Sequence, residues 1–195
     1  MTDLVERIER NRFVGREFLL WLWFESEVFE TNLAPTGMGR CALWIETRLS
    51  LSFEKDESLL KSASPATSPE AKEALRQGKL PREARLRLTT GEHEFAFLLK
   101  GDTLGLASVA IPAELKNKDD EMHEVLYERM RLLEELSAIL EALWSDFLTL
   151  RLSDAWDSQV VPLLKRFAQK HRVDDAAYLQ IKKRVLHKKT GKAKG

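Results

Sequence analysis

The side chains best suited to chemistry are the basic residues near the C-terminal end of the chain. Between residues 182 and 195 seven residues are basic and none is acidic: Lys182, Lys183, Arg184, Lys188, Lys189, Lys192 and Lys194. Closely spaced ammonium and guanidinium groups attract phosphate chains by releasing condensed counterions, without reading base sequence. The run predicts a nucleic-acid-binding segment. A solubilising tail fits the composition equally well, and an anionic membrane surface fits less well because few large apolar residues accompany the charges.

A second group of basic side chains lies on a predicted strand. Arg85 and Arg87 alternate with Leu86 and Leu88, so the two arginines project from the same face of a sheet. We predict that this face helps to contact phosphates. An ordinary solvated sheet face is the alternative explanation of the pattern.

The basic residues are concentrated at one end of a chain whose total charge is balanced. The chain holds 31 basic and 31 acidic residues, so its formal net charge is zero. Residues 165–195 nevertheless hold eleven basic and two acidic residues, whereas residues 1–164 hold twenty basic and twenty-nine acidic ones. Lys165 and Arg166 extend the basic region upstream. An acidic body that folds back onto this region would weaken its attraction for nucleic acid.

The sequence offers no recognisable arrangement of residues for catalysis or metal binding. It has neither a glycine-flanked serine elbow nor a phosphate-binding loop. The single cysteine, Cys41, sits on the apolar side of an alternating segment, which is typical of a core residue. The four histidines lack a ligand spacing: His93, His123, His171 and His187. We therefore expect a protein that is not an enzyme and that uses no cofactor and no metal.

Helical and strand periodicities define the elements that must position these side chains. Residues 2–30 are predicted to form a helix, and its segment Phe18–Phe29 is apolar on most sides, which indicates a central core helix. Strict alternation over residues 41–53 predicts a strand long enough to need a bulge. A Ser-Pro pair at residues 68 and 69 opens a short helix.

The second half of the chain is predicted to contain a meander followed by helices. Turn signals at hairpin spacing separate three short strands at residues 84–89, 94–100 and 104–111. Apolar residues at helical spacing predict a long helix over residues 119–151. A basic helical extension begins at residue 157, contains a last helix at residues 174–187 and ends in a disordered tail from residue 188.

These elements predict an α+β fold in which an antiparallel β-sheet meander packs with long helices. We expect an α+β domain over residues 1–156 and the basic helical extension over residues 157–195. The first residues do not resemble a signal peptide, and the longest apolar run has seven residues, too few to span a bilayer. Together with the single cysteine, these features indicate a cytoplasmic protein that does not enter a membrane.

The block from Ser68 to Trp156 resembles the C-terminal part of the recombination-associated protein RdgC family. The similarity rests on the order of its segments: a short acidic helix ending in Gln77-Gly78-Lys79, the strand Ala84–Thr90, the Phe-rich strand Glu94–Lys100 with a Gly-Asp turn, Ile111–Leu115, and an acidic linker at Asn117–Glu121 before the long helix. The segment Gly15–Trp23 also looks like the helix that precedes this part in family members.

The resemblance implies a non-enzymatic protein that binds double-stranded DNA largely independently of sequence, in recombination or replication. It also implies a homodimer, because family members form ring-like dimers around DNA, and it implies association with the nucleoid. No binding residue is carried over from the family, so the candidate residues are those named from charge. The alternative is a protein-interaction or oligomeric scaffold module without nucleic-acid binding, in which Phe18–Phe29 and the helix at residues 119–151 supply the contacts.

Overall fold

The chain forms an α+β fold, as its sequence predicts. The computed structural model describes residues 4–29, 33–53, 56–116, 121–169 and 175–192. Within these residues one sheet contains β1 (Ala42–Phe53), β2 (Asp56–Leu60), β3 (Leu80–Thr89), β4 (Glu94–Lys100) and β5 (Leu106–Ala110). The α-helices are α1 (Leu4–Phe29), α2 (Pro69–Arg76), α3 (Met122–Arg151), α4 (Val161–Ala168) and α5 (Asp175–Lys192). None of these helices is both long and apolar enough to span a bilayer.

The strands lie in the order β2-β1-β3-β4-β5, and every neighbouring pair is antiparallel. Strands β3, β4 and β5 form the predicted meander, with Leu86 opposite Phe97. Successive side chains of a strand point to opposite faces. Leu86 and Leu88 are therefore buried in the core, whereas Arg85 and Arg87 lie on the other face of the sheet.

Strand β1 bends where its regular pairing with β3 is interrupted. The register shifts between Glu46 and Leu49. Thr47, within this interval, has a φ of 42°, in the left-handed region that non-glycine residues rarely adopt. The predicted bulge in this long strand is thereby confirmed.

Strand β2 is not predicted from the sequence. Its segment, Asp56–Leu60, begins with three polar residues and pairs with the far half of β1 at the edge of the sheet. An edge strand needs no continuous apolar face, so its sequence lacks the alternation by which the other strands are recognised.

Helix α2 begins and ends at the predicted residues. The Ser68 hydroxyl accepts a hydrogen bond from the backbone N–H of Ala71 at 3.1 Å, and a proline occupies the first helical turn. Gly78 follows the helix with a φ of 85°, which glycine adopts without strain. Lys72 connects α2 to α1 and α4, because its Nζ lies 3.0 Å from a Glu27 oxygen and 3.2 Å from the ring centroid of Phe167.

Helix α1 is the central element of the core and packs against β1 and β3. Trp21, Trp23 and Phe24 are fully buried, which confirms the predicted core helix. The helix also comes very close to the turn after β4. A Cβ atom on Gly15 would lie 2.0 Å from the carbonyl oxygen of Gly101, so glycine is required at this contact.

The basic extension packs into the same core as the rest of the chain. After α3 the chain makes a π-helical turn at Trp156–Val160 and continues directly into α4. Phe167 of α4 and Tyr178 of α5 both approach Phe24 of α1 edge-on, with centroid distances of 5.4 and 4.8 Å. One hydrophobic cluster therefore includes residues from both sides of the predicted boundary at residue 157.

The C-terminal end of α5 lies further along the chain than predicted. The helix continues to Lys192, so the prediction of disorder from residue 188 is wrong for residues 188–192. A lysine-rich composition is compatible with a helix when the preceding turns are anchored, because lysine itself has a good helix propensity. The tail beyond residue 192 lies outside the described residues.

Candidate nucleic-acid interface

Helix α5 carries most of the predicted basic residues, and a buried polar network holds its first half against α1. The Tyr178 hydroxyl accepts a hydrogen bond from Trp21 Nε1 at 2.8 Å and donates one to Glu25. Lys182, one turn further along α5, donates from Nζ to the other Glu25 oxygen at 2.7 Å. The network fixes the orientation of α5 relative to α1.

Lys182 therefore does not belong to a nucleic-acid surface. The residue is 8% exposed and Glu25 is 0% exposed, so the pair is sequestered from solvent. Moving this ammonium to a phosphate would leave the Glu25 carboxylate buried without its counter-charge. We correct the sequence-based assignment accordingly: Lys182 positions α5. In this pair, Glu25, an acid from residues 1–164, neutralises one basic residue of the C-terminal end.

The partners of Lys182 are the residues that sequence reasoning missed. Glu25 carries a recognisable signal, because an acid that directly follows the apolar run Phe18–Phe24 is expected to be buried with it and then requires a buried cation or several donors. Its partners could not be predicted from local sequence. Tyr178 and Lys182 are 153 and 157 positions away from it along the chain.

The outer side of α5 retains two of the predicted residues. Lys183 and Arg184 are exposed, and Arg184 donates a hydrogen bond to the side chain of Gln159 at 2.8 Å. Lys165 and Arg166 on α4 are exposed as well. Within the described residues, none of these four basic side chains forms an ion pair. Their positive charge therefore lies at the surface of two helices that both pack against Phe24, and we call these two helices the α4–α5 end.

The remaining predicted lysines follow on the same helix. Lys188, Lys189 and Lys192 belong to the last turns of α5, although their side chains lie outside the described residues, as does all of Lys194. Over its length α5 contains six basic residues and one acidic residue, counted from its sequence. The backbone thus places these lysines on the helix that also carries Lys183 and Arg184.

Arg85 and Arg87 lie apart from the α4–α5 end. They project from the sheet face opposite α1, whereas α5 packs against α1. Arg85 donates to the carbonyl oxygen of Ser108 at 2.6 Å, and Arg87 forms ion pairs with Glu46 and Glu94. Carboxylates therefore offset part of the charge on this face. The structure does not join the two predicted basic groups into one surface.

Cys41 is buried beside the network, as predicted for a core residue. Burial raises the pKa of its thiol from 9.0 to about 11, while Lys182 acts to lower this pKa and Glu25 to raise it. Burial also raises the pKa of Tyr178 well above its ordinary value, and the Glu25 charge adds to the effect. Both groups hold their protons at neutral pH, so neither is an activated nucleophile.

The described residues contain no group of three or more histidine, cysteine, aspartate or glutamate side chains that could hold a metal ion. His123, the histidine with the most acidic surroundings in the sequence, pairs with Glu121 at 3.3 Å, and both side chains are largely exposed. This arrangement is that of a solvated helix end.

Comparison with known proteins identifies no relative of this chain. No protein-family model, curated protein or solved structure matches the chain significantly. The resemblance to the RdgC family therefore stays a prediction from its segments, and the candidate site rests on burial, charge and contacts.

Proposed function

We propose that the chain is a non-enzymatic protein that binds double-stranded DNA through the α4–α5 end. The observation that carries this proposal is the set of exposed basic side chains on two helices: Lys165, Arg166, Lys183 and Arg184. Three further lysines continue the charge along α5. A surface of this kind neutralises phosphates and gains free energy from the counterions that it releases.

Binding of this kind is electrostatic and independent of sequence. Contacts from lysine and arginine to phosphates position a protein on the duplex and carry no base information. Residues 1–164 hold more acids than bases, so this part of the molecule repels DNA and orients the α4–α5 end toward it. In line with the resemblance to the RdgC family, we infer an accessory role in recombination or replication and association with the nucleoid of the cytoplasm.

Fluorescence anisotropy with a labelled duplex of random sequence tests the proposal. The variant Lys183→Gln/Arg184→Gln removes two exposed charges and leaves the buried Lys182 in place. The control variant Lys61→Gln/Lys100→Gln removes two exposed charges elsewhere, so the net charge changes equally. We expect Kd to rise about tenfold in the first variant and to change by no more than about twofold in the control.

Equal losses in the two variants, or unchanged binding in both, would contradict a contact at the α4–α5 end. A chain shortened after Leu186 removes Lys188, Lys189, Lys192 and Lys194 and should weaken binding further. The shortening must not reach Lys182, because its removal disturbs the core and would lower DNA affinity for an unrelated reason.

A second candidate function is a protein-interaction or oligomeric scaffold module that binds no nucleic acid. One observation favours it: α3 exposes several large apolar side chains. The expected contribution of the aromatic segment is corrected, because Phe18, Trp21 and Phe24 are buried in the core of the same chain. Absence of DNA binding by the unmodified chain at low salt would favour this second function over the first.

A further inference from the structure

We propose that α5 is a releasable strap, which leaves the core as one unit while the rest of the chain stays folded. Within its described part, the side chains of α5 that are buried are those of Tyr178 and Lys182. The α4–α5 end is complete only while α5 is docked, so release of α5 takes this basic surface apart. The inference goes beyond the proposed function, because release requires no nucleic acid.

Helix α5 contributes little apolar surface to the core. Its apolar side chains Ile181, Val185 and Leu186 are only half-buried, and Leu179 is exposed. Helix α1, by contrast, buries six large apolar side chains almost completely between residues 18 and 24. Burial of apolar area is the main favourable contribution to folding, so an element with few such contacts opens at a lower free energy than the core does.

The contact that docks α5 is polar, and water can replace it when the helix leaves. Tyr178 and Lys182 both donate hydrogen bonds to Glu25. A buried ion pair is only weakly favoured over the same two charges in water, because burial removes the hydration of each charge. Truncating one partner is different, since it leaves the other charge buried and unpaired. The network therefore fixes where α5 docks without strongly opposing its release.

A second buried acid near Tyr178 also favours release. Asp146 of α3 is 3% exposed, and its carboxylate accepts a hydrogen bond from the backbone N–H of Thr36 at 3.0 Å. Burial, the Glu25 charge and the Asp146 charge all raise the pKa of Tyr178, which places both carboxylates within electrostatic range of this residue. In the described part of α5, Lys182 is the one buried cation that the helix brings to them. Entry of water on release hydrates both acids and lowers their mutual repulsion.

Cys41 provides a natural probe of the release. Its side chain is 3% exposed and lies beside the network of Glu25 and Lys182, so a thiol reagent cannot reach it in the docked state. Release of α5 removes the helix that carries Lys182 and admits the reagent. When opening and closing are fast relative to modification, the labelling rate measures the equilibrium population of the open form.

Labelling of Cys41 with dithiobis(nitrobenzoic acid), in the full chain without DNA and over a series of urea concentrations, tests the proposal. Well below the unfolding midpoint the rate should hardly change with urea, because release exposes far less surface than global unfolding does. Lys182→Met should raise this urea-independent rate at least about tenfold, because the unpaired Glu25 gains water only when α5 leaves. The matched control Lys183→Met should change the rate by no more than about twofold.

Amide hydrogen exchange of the unmodified chain gives a second readout that needs no variant. The amides of α5 should exchange through one opening with the equilibrium constant that Cys41 labelling gives, whereas those of the central strand β3 should exchange only on global unfolding. Labelling that follows the urea dependence of global unfolding at every concentration overturns the proposal. So do equal rates in Lys182→Met and Lys183→Met, or α5 amides as protected as those of β3. Because no DNA is present, these outcomes are independent of whether the proposed DNA binding holds.

Discussion

At the residue scale, the contrast between Lys182 and Lys183 shows how one helical step separates two roles. A rotation of about 100° per residue turns the first side chain toward α1 and the second toward solvent. Lys182 meets the fully buried Glu25, while Lys183 adds to the surface charge of the α4–α5 end. A count of basic residues treats the two as equivalent, and only the packing of α5 distinguishes them.

Replacing Lys182 tests whether the buried pair holds α5 in place. We expect Lys182→Met to lower the free energy of unfolding by about 3–5 kcal/mol, because it leaves the Glu25 carboxylate buried without a cation. Lys183→Met is the matched control and should change the unfolding free energy by no more than about 0.5 kcal/mol, as is usual at exposed positions. Urea denaturation followed by circular dichroism measures both.

The double variant Glu25→Gln/Lys182→Met should recover part of this loss. It removes the unpaired charge, and the glutamine oxygen still accepts the hydrogen bond from Tyr178. Equal stabilities of Lys182→Met and Lys183→Met would contradict the role assigned to the pair.

Cys41 makes stability depend on pH in the alkaline range. Its folded pKa of about 11 exceeds the unfolded value of 9.0 because the thiol is buried, so the folded state retains a proton that the unfolded state loses. The free energy of unfolding should therefore fall as the pH rises from 9 to 11, by up to about 1.4 kcal/mol per pH unit. The raised pKa of Tyr178 adds to the fall above its ordinary pKa of 10.0.

Comparison with Cys41→Ala isolates the thiol from the other groups that titrate in this range. Unfolding by urea at a series of pH values should give a shallower decline for the variant, whatever its absolute stability. Parallel curves for the two proteins would show that the thiol is not the group responsible.

At the element scale, the sequence predicts most helices and strands because their apolar residues repeat with the period of the structure. The alternation along β1, β3 and β4 and the capping of α2 by Ser68 are local signals, and the structure confirms them. Strand β2 lacks such a signal because it lies at the sheet edge. The candidate site is predicted less well, since the surroundings of Lys182 and Arg87 come from distant segments. Likewise, periodicity marks the apolar residues of α3 without indicating that Leu126 and Met130 are left exposed.

The contact of α1 with the turn after β4 is an element-scale feature that one added methyl group would disrupt. We expect Gly15→Ala to lower the free energy of unfolding by about 2 kcal/mol or more, because its Cβ would lie 2.0 Å from the Gly101 carbonyl oxygen. Gly91→Ala is the control, since a Cβ there meets nothing within 4 Å. A thermal unfolding midpoint that falls no further in Gly15→Ala than in the control would contradict this close approach.

At the scale of the whole molecule, basic and acidic residues are concentrated in different parts of the chain. The α4–α5 end is basic, and residues 1–164 carry an excess of acids.

The dependence of DNA affinity on salt tests the central claim most directly. The measurement is the binding constant of the full chain for two duplexes of unrelated sequence across a series of salt concentrations. Electrostatic contact through the α4–α5 end predicts equal affinities and a slope of log K against log salt of about −4 or steeper, as expected for several neutralised phosphates. A slope near zero, a strong preference for one duplex, or no binding at low salt would contradict it.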